Sequence, residues 1–266
     1  MLPLDIEQHA LYQIANARVR SYPFPHFYVH PFLPADYFAQ LRAKLPDLAT
    51  YQRLDETGTV PKGTYTQRFV CRLEDLEELE FQSGAGHFWA QLNSWLLSDN
   101  FAQMLMRVFQ DGIVERFGPD AKLETVSEGR LVRDFSQYAL TPHTDTPRKL
   151  VSLLYYLPPD DSLRHLGTSL HVPRDPSFRC DGSRHHTEEQ FLKVATVEYL
   201  PNALFGFFKN DRAFHGIDEI QGENIVRDSL LYNLYVDKVI PGSPTAGTGE
   251  KAEGRPRGFS LPWRRG

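Results

Sequence analysis

The chain has 266 residues, of which 41% are hydrophobic, 24% charged and 12% aromatic, so it can bury a sizeable core and is too apolar to stay unfolded. A net charge of −5 argues against a general nucleic-acid or anionic-membrane surface, and no apolar run approaches the roughly 18 residues that a membrane helix needs. Two cysteines, Cys71 and Cys180, cannot build a disulfide framework, and the first residues lack signal-peptide character, which together point to the reducing cytoplasm.

The first 120 residues read as a mostly helical support region. Over 5–19, Ile6, Leu11, Ile14 and Val19 fall roughly on one stripe, as a helix requires. Residues 24–34 alternate and then break at prolines, giving a short strand that leads into a helix over 35–45. Residues 65–72 alternate as a strand, with Arg68 and Arg72 on one face and able to enter a cleft. Residues 86–117 predict two helices, split at Ser98-Asp99, where Ser98 suits an N-cap.

After residue 120 the period changes. Strand-like runs occur at 123–133, 149–157, 168–172, 194–199, 204–208 and 229–239, separated by Pro, Gly and Asp. Helical patterns do not alternate with them, so antiparallel pairing is expected over a parallel βαβ sheet. Many short strands in one block over 121–240 suggest a sandwich or jelly roll. Residues 241–266 contain ten Gly or Pro and carry a charge of +3, the reading being a flexible basic tail.

One constellation has the composition of a metal site. His143 and Asp145 stand two apart in Thr141-Pro-His-Thr-Asp-Thr-Pro147, and on an extended segment residues i and i+2 share a side. A mononuclear ferrous site wants two His and one carboxylate on one face. His215, after the apolar run 204–208 and a turn, is the best second histidine, and Gly216 permits a tight backbone beside it. Arg227-Asp228-Ser229 opens the last strand, and an Arg fork with a Ser hydroxyl suits a carboxylate.

In that order, His143-x-Asp145, His215 and Arg227-x-Ser229 resemble the signature of the Fe(II)- and 2-oxoglutarate-dependent oxygenases. The likeness covers about 123–237 and includes Gly167-Thr168-Ser169-Leu170, which is similar to a mid-core strand of these enzymes. Their stand-alone bacterial members with a helical N-terminal part are the most similar in layout. The resemblance implies an α+β fold: a double-stranded β-helix (jelly-roll, cupin-like) core with the helical part packed on one sheet. It implies His143, Asp145 and His215 as iron ligands, and Arg227 and Ser229 on the distal carboxylate of 2-oxoglutarate. The implied reaction uses O2 and 2-oxoglutarate to oxidise an unactivated C–H bond of a small molecule, such as an amino acid or biosynthetic intermediate. Succinate and CO2 are released, and desaturation or cyclisation can replace hydroxylation. Two alternatives stay open: a prolyl-type protein hydroxylase, and a cupin-like metal protein without 2-oxoglutarate chemistry.

Further residues have softer signals. Arg133 and Tyr138 precede the metal segment and are candidates for co-substrate binding, as are Lys149, Ser152, Tyr232, Asn233 and Tyr235 on flanking strands. Arg148 suits a substrate carboxylate if it faces inward. His185-His186, in the polar stretch 173–189, reads as solvated loop, His171 as structural, and Phe205, Phe207, Phe208 and Phe214 as core.

Overall fold

The structure, a computed structural model, describes residues 5–84, 86–182 and 184–240. The expected tail at 241–266 lies outside the described residues. Helix α1 (Ile6–Ala15) begins at Asp5, whose carboxylate accepts the Gln8 N–H at 3.2 Å, and it buries Ala10, Leu11 and Ile14. Strand β1 (His26–Val29) and helix α2 (Ala35–Ala43) follow, each shorter than the sequence pattern suggests, because the flanking prolines exclude regular pairing. Strands β2 (Gln52–Arg53) and β3 (Arg68–Arg72) then lead into α3 (Leu73–Ser83).

Helix α3 is not distinguished in the sequence pattern, because its run Leu73-Glu-Asp-Leu-Glu-Glu-Leu-Glu is dominated by acids. It buries only Leu73, Leu76 and Glu80, and it ends at Gly84 in the left-handed conformation. The predicted pair of helices over 86–117 is in fact three: α4 (Phe88–Leu96), α5 (Asp99–Val108) and α6 (Gln110–Phe117). The first break is at Ser98, whose hydroxyl accepts the Phe101 N–H at 3.1 Å. The second is at Phe109. Its buried ring packs on Phe27 and Phe208, with centroids 5.7 and 6.0 Å away, so the chain turns where the sheet holds that ring.

The remaining strands are β4 (Lys122–Phe135), β5 (Leu140–His143), β6 (Lys149–Tyr156), β7 (Ser169–Pro173), β8 (Phe191–Thr196), β9 (Ala203–Phe208), β10 (His215–Ile217) and β11 (Val226–Ile240). They form a seven-stranded sheet, β1-β9-β6-β11-β4-β3-β2, and a four-stranded sheet, β5-β10-β7-β8, with antiparallel pairing throughout. Residues before 121 therefore supply three strands of the large sheet besides the helices. From β6 onward the chain passes repeatedly between the sheets. This is a mixed α and β fold built on large antiparallel sheets.

Strand alternation sorts the side chains. On β11, Leu230, Tyr232 and Leu234 join Leu92, Trp95, Phe101 and Leu105 in the layer between the large sheet and the helices. The Phe101 ring stands edge-on to Tyr232 at 5.3 Å, and each such buried aromatic contributes about 1.5–3 kcal/mol. The large sheet's other face meets the small sheet across Tyr156, Phe205, Phe207, Leu170 and Ile217. Arg227, Ser229 and Leu231 alternate onto that inner face. Among the described residues no helix is long and apolar enough to cross a membrane.

Candidate metal centre

The small sheet brings the two sequence-distant histidines together. Strands β10 and β5 pair so that His215 lies directly opposite His143, with ring centroids 4.4 Å apart. Asp145 follows two residues after His143 and turns to the same side. One donor atom from each of His143, Asp145 and His215 lies within 4.8 Å of the others, and all three residues are buried. Strands β5 and β10 thus bring the three candidate ligands together.

Each ligand has an orienting partner. Nδ1 of His143 lies 3.0 Å from the Thr141 carbonyl, and Nδ1 of His215 lies 2.9 Å from the Ala213 carbonyl. A carbonyl only accepts, so both rings carry their proton on Nδ1 and leave the Nε2 lone pair for a metal. Asp145 accepts from the Lys149 ammonium at 2.9 Å and from the Ser152 hydroxyl at 2.7 Å, one partner per oxygen. Both of these partners stand on β6, which fixes the carboxylate against a rigid strand.

The electrostatics suit a cation. Burial pushes the His143 and His215 pKa values down, and their mutual repulsion adds to this for His143, so both rings are neutral at pH 7. Burial alone would raise Asp145. The Lys149 charge, the first of the influences that oppose burial, holds the carboxyl below the usual carboxylate range. Two neutral imidazoles and one carboxylate on one face form the donor set that suits non-haem Fe(II), with coordination positions left open. The residues therefore fit the metal that the sequence resemblance implies.

The triad opens on a cavity of about 100 Å³ between the sheets. Ser229 and Thr168 line it, and so does Arg68 from β3. Arg227 is fully buried and outside the lining. Its Nε donates to the Leu166 carbonyl at 2.7 Å and its Nη1 to Asp134 at 2.9 Å, while Nη2 has no hydrogen-bond partner among the described residues. Tyr138 is also buried with its hydroxyl unpartnered, and its ring lies 4.2 Å from the Arg68 guanidinium carbon. Arg133 is placed elsewhere: it pairs with Asp228 at 2.7 Å and lies over the Tyr51 ring. One step along β4 reverses the face, so it is Asp134, unremarked in the sequence, that faces inward. Tyr232 likewise turns to the helices, where its hydroxyl lies 2.8 Å from that of Ser127. Arg148 stands exposed near Asp237.

His185 stands exposed in its loop, as expected, and yet it also reaches the metal-site segment. The segment after β7 folds back over the small sheet, where the His186 N–H donates to the Pro142 carbonyl at 3.0 Å. This stacks the His185 ring on His143 at a centroid distance of 4.6 Å. The Tyr65 hydroxyl lies 3.0 Å from His185 Nε2, so both residues stand beside the candidate metal ligands. Only the long-range fold of this insertion creates the contact, and no local sequence signal marks it.

Gly216 separates the two histidine strands. A Cβ there would lie 2.4 Å from the Leu140 carbonyl oxygen, a backbone atom that cannot swing aside. Gly216→Ala is expected to push β10 from β5 and weaken Fe(II) binding at least tenfold, with a lower melting temperature. Unchanged Fe(II) affinity in a calorimetric titration would show that the spacing of these strands does not set the site.

No family model matches the sequence, and no curated protein matches it. Solved structures do. The non-heme alpha ketoglutarate dependent epimerase SnoN from nogalamycin biosynthesis aligns with a TM-score of 0.50 at 14% identity, covering 95% of this chain and 93% of that one. A prolyl-4-hydroxylase from Pseudomonas putida gives 0.48 at 16% identity, covering 86% and 98%. HygX from Streptomyces hygroscopicus, solved with nickel, 2-oxoglutarate and hygromycin B bound, gives 0.45 at 12%, covering 80% and 83%. The alignment with SnoN shows a shared fold, so this chain is similar in architecture to 2OG-Fe(II) oxygenase structures, and it carries a His-Asp-His group that could hold one metal ion.

Proposed function

We propose that this protein is a non-haem Fe(II)- and 2-oxoglutarate-dependent dioxygenase that oxidises an unactivated C–H bond of a small molecule. The observation that carries this reading is the convergence of His143, Asp145 and His215 on one buried point. The passage of β6 to β11 between two facing antiparallel sheets supports reading the core as a double-stranded β-helix, or jelly roll. Two buried free cysteines suit the cytoplasm.

His143, Asp145 and His215 would hold the iron, which when bound supplies O2 activation that couples conversion of 2-oxoglutarate to succinate and CO2 with oxidation of the substrate. The Thr141 and Ala213 carbonyls aim the two imidazoles. Lys149 and Ser152 stop the carboxylate from rotating. The Ser229 hydroxyl, Arg227 Nη2 and the Tyr138 hydroxyl offer donors for the distal carboxylate of the co-substrate; the last two are buried and unpartnered. Leu154, Phe207, Ile217 and Leu231 give the cavity an apolar wall that limits water near the metal.

The test is an anaerobic titration with Fe(II) and then 2-oxoglutarate, read by the visible charge-transfer band of the chelate. A band that saturates at one equivalent of iron is expected. With the full chain folded and iron-loaded, absence of any band would sink the proposal. Succinate formation across a panel of amino acids and biosynthetic intermediates then ranks substrates.

A further inference from the structure

A second cavity, of about 350 Å³, lies between helix α6 and the turn after β9, with Pro147 at one side. None of its lining residues belongs to the metal cavity. Two cations line it, Arg116 from α6 and Lys209 from the turn. Lys209 is 3% exposed, and its ammonium donates to the Asp181 carbonyl at 2.7 Å and to the Asn210 carbonyl at 3.2 Å. Arg116 Nη1 donates to the carbonyls of Lys149 at 2.8 Å and Lys209 at 3.2 Å, and Nη2 donates to that of Pro147.

Carbonyl partners satisfy N–H groups but cancel no charge, and a desolvated charge without a counter-ion is strongly unfavourable. Among the described residues neither cation forms an ion pair: Asp145 is taken by Lys149, and Asp211 faces Arg179 at 3.7 Å. Burial, and then the Arg116 charge, push the Lys209 ammonium below its usual pKa, and burial lowers that of Arg116. Donors also remain. An ammonium has three protons and Lys209 uses two, and Arg116 Nε makes no hydrogen bond among the described residues.

The outer lining has the opposite sign, since Glu115, Asp181 and Asp211 are all exposed. With Asp211 facing Arg179, two acids are left at the mouth, Glu115 and Asp181. A dianion would be repelled there, and a simple cation would be repelled by Arg116 and Lys209 deeper in. A molecule with a carboxylate at one end and an ammonium at the other matches both levels. We infer that this cavity is a second ligand site, separate from the metal centre, that takes a free amino acid as its zwitterion. Arg116 and Lys209 receive the carboxylate, and Glu115 and Asp181 receive the ammonium. The ligand then lies one guanidinium away from the segment that carries Asp145 and Lys149.

The experiment is calorimetric titration of the metal-free full chain with the twenty standard L-amino acids. The tightest binder is then compared with its primary amide, which lacks the carboxylate, and with its deaminated acid, which lacks the ammonium. A charge-assisted hydrogen bond is worth roughly 10- to 100-fold in affinity, and each derivative is expected to bind weaker by about that factor. Arg116→Gln is expected to weaken the amino acid equally and to change the amide by less than about twofold. Glu115→Gln, on the exposed face of α6, is expected to reduce the preference for the amino acid over the deaminated acid. Equal losses of amino acid and amide in Arg116→Gln would mean a merely structural role and overturn the inference. If Arg116→Gln does not fold, Glu115→Gln decides: a preference equal to wild type overturns the inference. Binding that survives both variants but is lost in His215→Ala would put the amino acid in the metal cavity and overturn it too, as would no binding of any amino acid at millimolar concentration. None of these outcomes depends on iron or 2-oxoglutarate, so failure here is distinct from failure of the enzymatic reading.

Discussion

His215→Ala is expected to lower Fe(II) affinity by more than about 100-fold and to abolish the visible band with 2-oxoglutarate. Loss of a residue that only supports a metal ligand typically weakens binding 10- to 100-fold, and a direct ligand should exceed that. The site has no spare donor to compensate, since among the described residues the only cluster that could hold a metal is His143, Asp145 and His215. His185 stacks flat on the His143 ring and its Nε2 lies against the Tyr65 hydroxyl, so it is not aimed at the metal position. Ser152→Ala serves as the graded control. It removes one hydrogen bond from Asp145 but leaves Lys149 on the other oxygen, and about a tenfold loss is expected. Iron affinity in His215→Ala within a few-fold of wild type would refute the assignment of the ligand set.

The candidate metal ligands are legible because their geometry is local or enforced by strand alternation. Two residues apart on an extended segment share a face, which put His143 and Asp145 together, and a histidine opening a later strand could lie opposite them. The strands of the second half were legible for the same reason: their apolar residues alternate or run continuously between Pro, Gly and Asp. What failed did so through parity or distance. Arg133 and Asp134 are adjacent, and the choice of which faces inward depends on pairing with β3 and β11, which the sequence does not state. Helix α3 was hidden because only one narrow stripe of an acidic run is buried. His185 is exposed as its polar setting predicts, but its contacts with His143 and Tyr65 cross 42 and 120 residues and leave no local signal. Arg227 kept its expected strand, yet the cation that reaches the cavity is Arg68, from a part of the chain read as support.

Asp134→Leu is expected to destabilise the metal-free protein by about 3–5 kcal/mol, the usual consequence of removing one partner from a buried ion pair. At this chain length that corresponds to a fall in melting temperature of roughly 6–20 °C. The effect should be unequal on the two arginines that bond this carboxylate, Arg68 at 2.6 Å and Arg227 at 2.9 Å. Arg68 borders the cavity and can recruit water when its carboxylate is gone, whereas Arg227 is sealed and would keep only the Leu166 carbonyl. Most of the loss therefore resides in the charge left behind at Arg227. Removing that charge as well, in the double variant Asp134→Leu with Arg227→Met, should recover at least half of the lost stability, because a well-packed apolar pair can replace a buried ion pair at little net change. Chemical denaturation of the two variants distinguishes the alternatives. If Asp134→Leu costs less than about 1 kcal/mol, the carboxylate is not what stabilises the buried guanidinium. If the double variant is as unstable as the single one, the loss comes from altered packing between β4 and β11, and excess charge is not its source.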